Sequence, residues 1–117
     1  MGSICIILRR PPYGTVDAAE AIRHALGGVT EEMGTQLLLV DGGVNAARNG
    51  QDPASTGYAS IEEGIRDCID MGVEVSVDGE SLKAAGMGPQ DLIDGAKILD
   101  GPEIAAIIKD AGTTMIF

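Results

Sequence analysis

The stretch ICIIL at residues 4–8, and the LLLV that closes TQLLLV at 35–40, are apolar at every position. A strand with one wet face alternates apolar and polar side chains. Continuous runs of this length therefore predict strands covered on both faces, as in parallel sheets flanked by helices. Behind the first run, Thr15 is expected to cap a helix whose Ala18, Ala19, Ile22, Ala25 and Leu26 recur at helical spacing, with Gly27-Gly28 ending it. Behind the second, Asp41-Gly42-Gly43 leads into a short helical segment, VNAARNG. The loop NGQDPASTG then separates this from a helix at about 59–71, with Ile61, Ile65, Cys68 and Ile69 on one stripe.

VEVSV at 73–77 alternates in polarity, which predicts a third strand with one face partly open. Asp78 is placed to cap a short helix containing Ser81, Leu82, Ala84 and Ala85. A short helix near 89–93, a short strand at AKIL, a helix at 102–111 entered through Gly101-Pro102 and a last strand, TTMIF, complete the pattern. The alternation predicts an α/β fold. We expect a single domain over 1–117, with a mostly parallel central sheet of about five strands, helices on both faces and flavodoxin-like layering. One Phe, two Tyr and no Trp leave Ile, Leu, Val, Ala and Met to fill its core.

Eighteen acidic against eight basic residues give a formal charge of −10, which repels phosphate backbones and anionic membrane surfaces, so no nucleic-acid or membrane partner is expected. No apolar run approaches the roughly 20 residues of a membrane span. The start, MGSICII, offers no basic segment or small-residue cleavage site, and Ile6 stands where an acylation pattern needs a hydroxyl. The expectation is a cytoplasmic protein. Cys5 and Cys68 match no metal or redox spacing and both fall on apolar stripes, so both are expected to be buried free thiols. The acidic neighbours of Cys68 (Glu62, Glu63, Asp67 and Asp70) would raise its pKa further. His24 is the single histidine, which argues against a metal site. Its spacing from Glu20 predicts a surface i, i+4 pair.

In parallel sheets ligands bind beyond the carboxyl ends of the strands. Three loops are expected to converge there: Arg9 to Thr15, Asp41 to Asn45, and Asp78 to Ser81. The candidate pocket residues are Arg9, Tyr13, Gly14, Thr15, Asp41, Gly42, Asp78 and Ser81. Gly14-Thr15 would open a helix whose free N–H groups favour an anionic or polarised ligand, and Arg9 or Arg10 would orient it, unless both arginines are merely solvated strand-end residues. No GxxxxGK[ST] is present and no GxGxxG follows the first strand, so no nucleotide cofactor is expected. Asp78 reads equally as a helix cap or as a functional carboxylate.

PPYGT after the first strand, LLLVDGGVNAA around the second, VSVDGESLKAAGM around the third and a last strand ending in Phe117 resemble the DsrE/DsrF-like family, which includes the sulfur-relay subunits of the TusBCD and DsrEFH complexes. The resemblance covers nearly the whole chain. It implies a small α/β domain that assembles as trimers or hexamers, either alone or with cysteine-bearing paralogues. It also implies a persulfide-accepting cysteine after the third strand, where this chain has Asp78; Ser76 is a second position at which relatives carry a thiol. A carboxylate cannot form a persulfide. The expectation is a non-catalytic or modified member of the family. The alternative is a small-molecule binding protein or enzyme that uses Asp78 with Ser81 or Tyr13.

Overall fold

The computed structural model describes residues 2–51 and 60–117. Its centre is an all-parallel sheet of five strands, β1 (Ser3–Leu8), β2 (Gly34–Leu39), β3 (Glu74–Asp78), β4 (Lys97–Leu99) and β5 (Thr113–Ile116), in the order β4-β3-β2-β1-β5. Among the described residues four α-helices connect or flank them: α1 (Asp17–Thr30), α2 (Ile61–Asp70), α3 (Gly79–Ala84) and α4 (Gly101–Asp110). Two 3₁₀ segments, Asp41–Ala47 and Pro89–Asp91, lie between.

The continuous apolar runs are explained by burial on both sides. Ile6 and Leu8 of β1 and Leu37 and Leu39 of β2 belong to the large core beneath α1 and α2, to which Ile22 and Ile65 contribute. Cys5, Ile7 and Leu38 point the other way, onto Ile104 of α4. β3 departs from expectation, because Ser76 at its centre is only 2% exposed and the face expected to be partly open is closed there. α4 buries little beyond Ile104, and Ile108 and Ile116 near it remain exposed.

Two expectations about α1 are corrected. Its N-cap is Val16, without a side-chain hydrogen bond, while Thr15 Oγ1 accepts from Asp17 N at 3.2 Å from just outside the helix. Nor does Gly27-Gly28 end it. The helix runs to Thr30, and the left-handed turn that follows falls on Glu32 (φ 60°). Gly28 instead lies on the buried stripe Ala18, Ala21, Ile22, Ala25, Gly28, where a Cβ would stand 2.7 Å from Thr35 Oγ1. Glycine here is a packing residue that lets α1 approach β2, and the stripe is rotated so that Ala19 is exposed.

α2 begins at Ile61, capped by Ser60, whose side chain accepts from Glu63 N, and buries Ile61, Ile65 and Cys68 as its spacing predicts. Residues 52–57 of the expected loop, and the expected helix start at 59, lie outside the described residues. The chain before them is stitched to the segment before β4. Asn49 N donates to Asp91 O and Ile93 N to Ala47 O, each at 2.8 Å. No helix among the described residues is long and apolar enough to cross a membrane.

Candidate functional site

β2 hands over to its 3₁₀ segment through a turn that only certain residues allow. Gly43 N donates to Val40 O at 2.8 Å and Arg9 O at 3.1 Å, which presses the turn onto the end of β1. A Cβ on Gly43 would stand 2.1 Å from Leu8 O, so no other residue fits without moving backbone. Asp41, just before it, adopts φ 49°, a left-handed conformation uncommon outside glycine. That conformation aims Asp41 N at Ser81 Oγ, 2.8 Å away.

Ser81 is brought there by the end of β3. Asp78 caps α3, and its Oδ2 accepts from Ser81 N at 3.2 Å and from the Ser81 hydroxyl at 2.6 Å. One buried serine oxygen thus joins the carboxyl ends of β2 and β3, donating to one loop and accepting from the other. Over this junction lies a depression of about 550 Å³ whose polar lining includes Asp41, Asn45, Asp78, Glu80 and Ser81, with Gly42 beside them. Among the described residues no lysine or arginine lines it. Three carboxylates favour a cationic or hydrogen-bond-donating ligand rather than an anion. Asn45 and Glu80 were not among the expected residues. The signal for each was its position, four residues after Asp41 in one loop and two after Asp78 in the other.

The structure therefore brings together Asp41, Gly42, Asp78 and Ser81, and places the rest of the expected set elsewhere. Arg9 reaches Asp41 Oδ2 only at 3.8 Å, with its side chain 62% exposed, and Arg10 pairs with Asp17 at 3.0 Å. Both line a second depression, with Ile116 and Phe117. Tyr13 is half-buried against the large core, and Gly14 (φ 104°) and Thr15 are exposed at the turn before α1. His24 also departs from expectation. Glu20 pairs with Arg23 at 2.6 Å, while His24 Nδ1 lies 2.8 Å from the Glu20 carbonyl oxygen and the ring packs 5.3 Å from that of Phe117.

The two thiols are fully enclosed, on opposite sides of the sheet. Burial pushes the Cys5 thiol above its ordinary pKa. The Cys68 thiol is pushed up to about 11, by burial first and the Asp67 carboxylate second. Neither lines the depression at the strand ends.

A five-stranded all-parallel sheet with helices on both faces defines a doubly wound α/β protein, with the polar junction of Asp41, Ser81 and Asp78 at the ends of two adjacent strands. The chain belongs to the DsrE/DsrF-like family, whose model matches residues 2–117. It is 30% identical over 112 residues to an uncharacterized protein of Methanocaldococcus jannaschii, covering 96% of each chain. It is 33% identical over 87 residues to the intracellular sulfur oxidation protein DsrF of Allochromatium vinosum, covering 74% of this chain and 64% of that one. The crystal structure of the ychN protein from E. coli matches with a TM-score of 0.90 over 100% of both chains at 24% identity, a likeness of fold.

Proposed function

We propose that this chain is a modified member of a sulfur-relay type assembly, one that carries no sulfur itself. Its Asp41, Asp78 and Ser81 depression receives a cysteine-bearing partner subunit or a small sulfur-containing ligand. The observation that carries this reading is the absence of exposure at both of the chain's cysteines, Cys5 and Cys68, while Asp78 occupies the strand end where sulfur-carrying relatives are expected to hold a thiol. A persulfide forms on an accessible thiolate, and a buried thiol with a raised pKa supplies neither access nor thiolate. Membership of the family and the likeness to DsrF support the pathway class. The assembly is a trimer or hexamer, built from this chain alone or with cysteine-bearing paralogues. Native mass spectrometry of the chain, alone and mixed with a cysteine-bearing DsrE/DsrF-like paralogue, tests this. Mixed oligomers are expected, and a strict monomer at micromolar concentration in both samples overturns it.

The volume of the depression, about 550 Å³, favours a second reading, in which a small molecule rather than a protein segment is the occupant. Asp78 and Ser81 then supply its polar contacts and the protein works as a homo-oligomer. This reading expects binding that Asp78→Asn abolishes without any paralogue present.

A further inference from the structure

The strand order reverses once in this sheet. β1 to β4 are laid down in one direction, and the chain then returns through α4 to set β5 on the other side of β1. In open α/β sheets the crevice at such a reversal, beyond the carboxyl ends of the strands, is a preferred ligand position. Here it lies between the loop after β1 and the end of β5. It forms a depression of about 420 Å³ lined by Arg9, Arg10, Asp17, Ile116 and Phe117. It shares no lining residue with the depression over Asp78.

The charge of this crevice differs from that of its neighbour, with two arginines against the one carboxylate of Asp17. Two of the chain's eight basic residues stand side by side here, in a molecule of net charge −10. Each guanidinium approaches a carboxylate through its Nε, Arg10 to Asp17 and Arg9 to Asp41. Among the described residues neither donates a hydrogen bond through its terminal nitrogens, so two planar forks suited to oxyanions are left open. Pairs in which the guanidinium is this exposed contribute little to stability. Beside them Ile116, 64% exposed, and the uncovered part of Phe117, whose ring packs on His24 and the large core, add apolar surface.

We propose that this crevice is an oxyanion-binding site. The guanidiniums of Arg9 and Arg10 take a carboxylate or phosphoryl group, and Ile116 and Phe117 take an apolar body about the size of one ring. The site is independent of the sulfur-relay reading and of Asp78.

The test is an NMR titration of the isotopically labelled chain with phenyl phosphate at low salt, following arginine Nε–Hε and backbone amide signals, with benzoate and inorganic phosphate as parallel probes. We expect saturable shifts centred on Arg9, Arg10 and Phe117, with a midpoint on the order of 1 mM. Benzoate should shift the same residues if the carboxylate suffices, and inorganic phosphate should bind more weakly for want of the ring. Binding should weaken at least about ten-fold in the Arg9→Ala, Arg10→Ala double variant and stay unchanged in Asp78→Asn. Both arginines are exposed, so retained amide dispersion confirms that the double variant folds. Absence of saturation, equal binding by the double variant, or shifts centred on Asp78 would each overturn the proposal.

Discussion

The Ser81 hydroxyl donates to Asp78 Oδ2 at 2.6 Å, and the same oxygen accepts from Asp41 N at 2.8 Å. The contact caps α3 and also ties the end of β3 to the end of β2. Replacing Asp78 by alanine removes the acceptor of the Ser81 N–H and O–H and should cost about 0.5–2 kcal/mol, the range for a lost cap. Asp78→Asn keeps a good capping side chain and should lose less. Thermal unfolding of the two variants measures the difference. If Asp78→Asn keeps stability yet abolishes partner or ligand binding, the carboxylate serves the site as well as the helix. If both variants bind as the wild type does, the carboxylate is a cap alone.

Gly43 and Gly27 should respond in opposite directions to alanine. At Gly43 the new Cβ meets the Leu8 carbonyl at 2.1 Å, and the turn that aims Asp41 N at Ser81 has to open. Gly43→Ala should therefore destabilise by about 3 kcal/mol or more, among the large effects of single substitutions. At Gly27, inside α1, nothing stands within 4 Å of the added Cβ. Gly27→Ala should stabilise by about 0.5–1 kcal/mol through helix propensity. Urea unfolding of both variants checks the pair.

Both thiols should resist a thiol reagent in the native state and react together on unfolding. The Cys68 pKa adds a pH signature. Its folded value, about 11, lies above its ordinary value of 9.0, so the folded state holds the proton longer than the unfolded state. The associated stability is fully present below about pH 9 and is lost as pH rises toward 11. Cys68→Ala should flatten that part of the stability curve relative to wild type.

Glu62 carries the opposite sign. The Arg66 hydrogen bond, first, and the Gln51 N–H hold its carboxyl below the ordinary carboxylate value. Its contribution is present above the unfolded pKa and is lost as pH falls through the folded one. Glu62→Gln should weaken the protein near neutral pH and reduce its loss of stability on acidification, as read from denaturant midpoints across the acid range.

The sheet was legible because apolar runs such as ICIIL and LLLV have no other economical use in a short chain with few aromatics. The Asp41 to Ser81 half of the site followed from the rule that loops at carboxyl strand ends converge. What failed depended on contacts remote in sequence. Gly28 reads as a stop until Thr35 is known to stand beside it. Glu20 and His24 read as a pair until Arg23 takes the carboxylate and Phe117 takes the ring. Arg9 and Thr15 were grouped with Asp78 because periodicity does not reveal strand order. With β5 beside β1, the loop after β1 faces Phe117, and Asp78 lies two strands away.

That this chain carries no sulfur is tested by intact native mass spectrometry after exposure to a persulfide donor. Wild type should be compared with Asp78→Cys, Cys5→Ser and Cys68→Ser. No added sulfur is expected on wild type. One added sulfur is expected on Asp78→Cys, where the new thiol would line the depression at the N-cap of α3. Sulfur on wild type that disappears in Cys5→Ser or Cys68→Ser would contradict it and return the carrier role to a thiol that is buried here.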